Sequence, residues 1–336
     1  MNPVAAVNPV AAPRIDWIPL ALLAAVALAA LAMIGNPSTW VTLTIAGLAM
    51  GLLIFIMASG LTLVFGLMDV MNFAHGLFIA IGAYVAVSTL KVFSAAAGAD
   101  SFLANLGAVL PALLAAMVVA GLLGWFFERV IIRPVYGQHL KQILITTGGM
   151  IVAEQLIHVF WGPDLLPLQR PTTLRGAFVV GDMAIEKYRL IAVAVGLVVF
   201  AAMMLILNRT KIGLLIRAGV ENKEMVEAMG YRIRRLFVGV FVAGSALAGL
   251  GGALWGMYQE SVTVHIGANM IVLIFIVIII GGLGSIGGCF AGAVLVGLVA
   301  NYVGYLSPKI ALGSNILLMV LILLWRPQGL YPVSRQ

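Results

Sequence analysis

Apolar residues run along this chain in long unbroken blocks, not in the i, i+3, i+4 stripes of a helix that buries one face and wets the other. A helix needs about 20 mainly apolar residues to cross about 30 Å of hydrocarbon. Ten blocks of that kind can be placed, at 17–34, 41–66, 71–90, 104–127, 143–161, 190–208, 236–258, 269–285, 287–306 and 310–325. Two divisions are weak. The stretch 41–90 accommodates a broken or re-entrant helix as well as two spans, and 269–306 is one apolar tract interrupted only by Gly281-Gly-Leu-Gly-Ser-Ile-Gly-Gly288. The pattern predicts an all-α polytopic membrane protein of about 8–10 transmembrane helices, with a single membrane domain over 17–325.

Composition sharpens this. Of 336 residues, 63% are hydrophobic and 9% charged, against about 25% charged in soluble domains. A soluble chain so apolar would expose contiguous greasy surface. The net charge of +7 reads as basic loops kept on one side of a membrane, and nucleic-acid binding is not expected. Segments 1–16, 128–142, 209–235 and 326–336 hold 13 of the 19 Lys and Arg residues, including Arg14 and Arg335. By the positive-inside rule these segments are cytoplasmic. That makes both termini cytoplasmic, 209–235 a cytoplasmic loop and 162–189 an extracytoplasmic one. The run Ala177-Phe-Val-Val with Met183 and Ile185 suggests a short hairpin in the latter. The first apolar block is long enough to span and is read as an uncleaved helix. An inverted repeat leaves too faint a trace in one sequence to be asserted.

The loop 209–235 carries the most chemistry. Asn222 is placed to cap a short helix over 223–229, with Glu224 in its first turn and Gly230 at the left-handed position that ends it. Met225, Val226 and Met229 make one apolar side, and Ile212, Leu215 and Ile216 another. Such a helix either docks on a partner or lies on membrane lipid.

Asp69, Asn72 and His75 are spaced three apart, as on one helix face. Beside Gly76 and Gly82, which admit a neighbouring helix or a substrate, they either line a transport pathway or cap a corner at the inner surface. Glu154 and His158 are spaced to bond one another, as a proton relay or as a packing contact. Gly244, Ala248 and Gly252 mark one close-packed face, and Gly288 and Gly292 another. No catalytic arrangement, metal-ligand spacing or phosphate-binding loop is present. The lone Cys289 reads as a small packing residue.

These stretches resemble the permeases of branched-chain amino-acid ABC importers, the LivH-type subunit. The likeness lies in Gly60-Leu-Thr-Leu-Val-Phe-Gly66 leading to Asn72-Phe-Ala-His-Gly76 and Ile81-Gly-Ala-Tyr84. It continues in Gly213, Arg217-Ala218, Glu227-Ala-Met-Gly230 and Phe241-Val-Ala-Gly-Ser-Ala-Leu-Ala-Gly249, then Ile280-Gly-Gly-Leu-Gly-Ser-Ile-Gly287, with Gly282 and Gly284 inside it, and Arg326-Pro-Gln-Gly-Leu330. The family often carries an acidic residue where Asn222 stands and Pro where Gly287 or Gly288 stands.

The resemblance implies a permease of the bacterial inner membrane. Its residues 213–230 would form the coupling helix that docks on an ATPase. Its partners would be a second homologous permease, two ABC ATPases and an extracytoplasmic solute-binding protein. ATP and Mg would sit on the ATPases, with no cofactor on this chain. The alternative is an ion-coupled secondary transporter or channel acting without an ATPase.

Overall fold

A computed structural model describes residues 17–331. Thirteen α-helices form among them. In chain order they are α1 (Ile18–Ile34), α2 (Pro37–Met68), α3 (His75–Val92), α4 (Ser94–Gly98), α5 (Phe102–Phe127), α6 (His139–Trp161), α7 (Lys187–Arg209), α8 (Lys211–Glu221), α9 (Lys223–Ala228), α10 (Ile233–Gln259), α11 (Ile266–Gly281), α12 (Ile286–Leu306) and α13 (Pro308–Trp325). Ten of them coincide with the ten apolar blocks. Seven are long and apolar enough to cross a membrane, while α1, α11 and the apolar part of α13 are shorter. The segment 1–16 and the tail beyond 331, with Arg14 and Arg335, lie outside the described residues.

Four short strands complete the chain: β1 (Leu166–Pro167), β2 (Ala177–Val180), β3 (Met183–Glu186) and β4 (Ser261–Val262). β2 and β3 form the hairpin expected in the loop 162–189. β1 pairs antiparallel with β4, joining that loop to the chain after α10.

Small residues set the packing of the core. Gly60 of α2 lies against Gly244 of α10, Gly51 against Ala293 of α12, and Gly249 of α10 against Ala116 and Ala120 of α5. At each position a Cβ would meet backbone or a side chain of the neighbouring helix, so the axes approach as closely as membrane helices can. These pairings run α2 antiparallel to α10 and α12, and α10 antiparallel to α5. The helices thus alternate between two ends of the bundle. Residues 17 and 331, the 128–138 turn and the 210–232 loop share one end. The loop 162–186 lies at the other.

The chain folds as two halves of five long helices each: α1, α2, α3, α5 and α6, then α7 and α10 to α13. Because five is odd, the halves run in opposite senses. Each contains the same joint. α2 ends on Asp69 and α10 on Glu260, the two non-glycine residues among those described with left-handed backbone, at φ 53° and 55°. After each joint the chain returns into the bundle and starts a helix there. The N-caps Ala74 (φ −72°, ψ 1°) and His265 (φ −78°, ψ 2°) share one conformation. Each is preceded by the same bond, His75 N–H to Asn72 O (3.3 Å) and Ile266 N–H to Thr263 O (3.1 Å). Gly76 and Gly267 follow at the same spacing and pack against each other, each leaving no room for a Cβ on the other. Here α3 and α11 cross. His75 Nε2 is 2.9 Å from the Met57 carbonyl, which lies about 16 Å along α2 from its end at 1.5 Å per residue.

This corrects one expectation. Asp69, Asn72 and His75 do not share a helix face. The backbone leaves the helix at Asp69 and re-enters it at His75, because the left-handed residue reverses the chain.

Candidate coupling and pathway sites

α8 and α9 form one rigid elbow at the end of the bundle that holds 17 and 331. Thr210 caps α8, its Oγ1 accepting from Gly213 N–H at 3.1 Å. Gly213 packs beneath the last carbonyls of α7, those of Ile206 and Leu207, where a Cβ has no room. It lies in the first turn of α8 and is itself buried, so its place there is to let α8 start close against the end of α7. Arg217 donates to Asn208 Oδ1 at 3.1 Å. Gly219 packs on Leu67 and Ile233, and Ile216 is buried, so one face of α8 lies on α2 and α10.

Asn222 closes α8 and opens α9. Its own N–H bonds to Ala218 O at 2.8 Å and its Oδ1 accepts from Met225 N–H at 2.9 Å. α9 ends in a Schellman arrangement, with Tyr231 N–H to Val226 O, Gly230 N–H to Glu227 O and Gly230 at φ +86°. Glu224 stands in the first turn of α9, and Glu224 and Glu227 are exposed.

The apolar side of α9 is split, contrary to the sequence reading. Met225 and Met229 are 56% and 58% exposed, whereas Val226 is 1% exposed. Residues i and i+4 lie nearly one above the other, and i+1 is turned about 100° away. Val226 therefore anchors the helix, and the two methionines form a free pair. The same split applies upstream, where Ile212 is exposed and Leu215 and Ile216 are turned inward. Leu214 is the exposed residue that the pattern missed.

At the first joint, Asn72 and His75 are each 1% exposed. Phe73 N–H donates to Thr146 Oγ1 on α6 at 3.2 Å. Neither the oxygen nor the nitrogen of the Asn72 amide has a protein partner. Gly76 faces Gly267 and Gly82 faces Gly249, so both glycines admit a neighbouring helix. Glu154 and His158 make no hydrogen bond to each other. Glu154 Oε1 and His158 Nδ1 are buried without partners, and the His158 ring lies edge-on to His265, centroids 6.4 Å apart. The i, i+4 spacing places the two side chains near each other, but His158 turns toward α11.

The other glycines fall where small residues were expected. Gly252 lies against the Ile79 carbonyl, Ala248 is fully buried, and Gly288 and Gly292 face α11. Gly282 and Gly284, at φ +101° and +82°, form the turn into α12, and Gly284 sits against Gly66. Among the described residues, no group of three His, Cys, Asp or Glu is placed to hold a metal ion.

Sequence reasoning missed Arg170. Its guanidinium is buried and donates to the Met257 and Tyr258 carbonyls, both at 2.7 Å. It pairs with Glu186 and Glu260, each at 3.2 Å, and lies over the Tyr188 ring. It closes the last turn of α10, where carbonyls have no helical partner. Nothing in the local sequence marks it, because its α10 partners lie far along the chain.

The family model for the branched-chain amino acid transport system permease component matches residues 43–325. The chain belongs to this family. It is accordingly a multi-pass plasma-membrane permease subunit and not an enzyme. The high-affinity branched-chain amino acid transport system permease protein BraD of Pseudomonas aeruginosa is 30% identical to this chain, over 84% of it and 93% of the relative. The corresponding permease LivH of Escherichia coli K12 is 28% identical, over 84% and 92%. A probable branched-chain amino acid transport permease LivM of Methanocaldococcus jannaschii is 26% identical, over 83% and 90%. Similarity to both LivH and LivM relatives over most of the chain fits a permease family whose members share one architecture.

Proposed function

We propose that this chain is one permease half of an ABC importer that carries branched-chain amino acids or a related small solute. The second half is a homologous permease, two ATPases supply the ATP and Mg chemistry, and a solute-binding protein delivers substrate to the end bearing the 162–189 loop. The end bearing α8 and α9 faces the cytoplasm, in keeping with the Lys and Arg bias. The observation that carries the coupling assignment is α9 itself. It is a short helix capped at both ends and anchored by Val226, with Met225 and Met229 exposed side by side. An adaptable methionine pair on a rigid support suits docking into a cleft. Glu224, Glu227 and Arg217 flank it, while Gly213 and Gly230 shape the turns that hold it. Asn72 and His75 enter as groups near the pathway, acting from behind the joint they buttress.

The test is ATP-driven uptake into vesicles containing the whole transporter. Met225→Asp and Gly230→Asp are expected to leave the chain in the membrane and to uncouple ATP hydrolysis from uptake. Normal uptake by both variants would sink the assignment. Recovery of an ATPase and a second permease in a mild-detergent pull-down is the matching observation for the partners. An ion-coupled carrier acting alone is not favoured, since Glu154 and His158 make no relay and the relatives are components of multi-part transport systems.

A further inference from the structure

Beyond α5 the chain does not stop at a cap. It continues through a π-helical turn (Glu128–Ile132) and a tight turn (Arg133–Val135). π turns re-aim side chains and recur at functional sites. This one turns Arg129 and Arg133 toward the start of α10, where Arg232, Arg234 and Arg235 cluster. Between them lies a cavity of about 470 Å³, bordered also by Glu128 and by Glu227 of α9. Five guanidinium groups against two carboxylates leave a net charge of +3.

Among the described residues, none of the five arginines forms an ion pair. Glu128 is fully buried, and its Oε1 accepts from the Tyr136 hydroxyl at 2.6 Å. Burial and that bond hold the Tyr136 phenol above its ordinary range, so it stays a donor. The first turn of α10 holds no acidic residue, so cations crowd the positive end of a helix, which by itself is unfavourable. An anion would relieve that crowding.

The surface leading to the cavity identifies the anion. Leu122, Trp125, Phe126 and Val130, on α5 and its π turn, are all about half exposed or more. This apolar strip runs along the helix directly into Arg129 and Arg133. A ligand that suits both parts has an anionic head and apolar chains.

We propose that this cavity binds the headgroup of an anionic phospholipid, with its acyl chains lying along the exposed strip of α5. The bound headgroup links the α5 extension to α10, and Glu227 of α9 borders the same cavity. The assignment rests on the exposed α5 strip and the arginine cluster of this chain and not on the ATPase reading, so the two fail separately.

The experiment measures lipid retention by native mass spectrometry, and thermal stabilisation, on the full-length chain in detergent. The probes are phosphatidylglycerol, phosphatidylcholine and inorganic phosphate. Wild-type protein is expected to retain phosphatidylglycerol over phosphatidylcholine. Arg133→Gln with Arg234→Gln should weaken that retention about thirty-fold, at about five-fold per basic group near a membrane surface. Lys91→Gln with Lys309→Gln, which removes the same charge at the opposite end, should leave it unchanged. Equal retention of the two lipids, or an arginine double variant that keeps its phosphatidylglycerol, overturns the proposal. Stabilisation by inorganic phosphate equal to that by the lipid overturns it in favour of a free anion. Loss of a co-purifying ATPase with lipid retention unchanged overturns it in favour of an acidic segment of that partner. The wild-type comparison of the two lipids needs no substitution and decides the case even where the variant misfolds.

Discussion

The joints after α2 and after α10 are built on one backbone plan and held by different means. Each reverses on an acidic residue with left-handed backbone, re-enters the bundle, and starts a helix at a glycine that meets the other joint's glycine. The second joint is clamped. β1 pairs with β4, Leu168 N–H bonds to the Glu260 carbonyl, and buried Arg170 ties the end of α10 to Glu186 and Glu260. The first joint has one hydrogen bond from α6, the His75 contact to Met57, and a half-exposed Asp69–His139 pair at 3.8 Å. Its Asn72 amide has no protein partner.

The clamped joint belongs to the end that carries the 162–189 loop, the loosely held one to the end that carries α9. Local opening costs least where buried polar ties are fewest. Under the coupling proposed for α9, motion entering there would meet the joint with the fewer buried polar ties. The second joint offers a fixed counterpart at the crossing of α3 and α11.

The contrast can be broken or sharpened by substitution. Arg170→Ala leaves the Met257 and Tyr258 carbonyls without their donor and Glu260 without its cation, while Glu186 keeps Arg189, and should cost about 3 kcal/mol; thermal unfolding in detergent reads it, and a loss under about 1 kcal/mol would erase the distinction between the joints. Gly76→Val and Gly267→Val should each cost about 2 kcal/mol by overpacking and abolish uptake, since the crossing is shared. If only one did so, the two starts would not be equivalent. Thr146→Val removes the hydrogen bond to Phe73 N–H and should cost about 1 kcal/mol. It should also raise proteolytic nicking near 69–74 before any change near 260–265; the reverse order would place the looser joint at the other end. Asp69→Asn should change stability by about 0.5 kcal/mol or less, as exposed pairs do. A larger drop in thermal midpoint than that of Thr146→Val would mean that the first joint is held by charge after all.

Much of this was legible in the chain, because the forces involved act over short stretches. Ten apolar blocks became ten helices, since an unbroken apolar run in lipid must satisfy its backbone internally. Asn222 and Gly230 framed α9 because a cap is a hydrogen bond to a neighbour three or four residues away. The hairpin at 177–186 followed for the same local reason. Where an expectation was wrong, at 69–75 and at Val226, the spacing was right. It could not say that Asp69 would take a left-handed backbone, or which face of a single short turn would be covered.

By itself, then, the sequence determined that this protein lives in a membrane, roughly where its ten apolar helices fall, and which loop is built as a short capped helix. Only the tertiary structure decided that two re-entrant starts cross at Gly76 and Gly267, that Arg170 locks one of them, and that five arginines from two distant segments share one cavity. The reason is distance along the chain. Propensity and caps are written within a turn or two, whereas these contacts join residues dozens to hundreds of positions apart and exist only once the helices have packed.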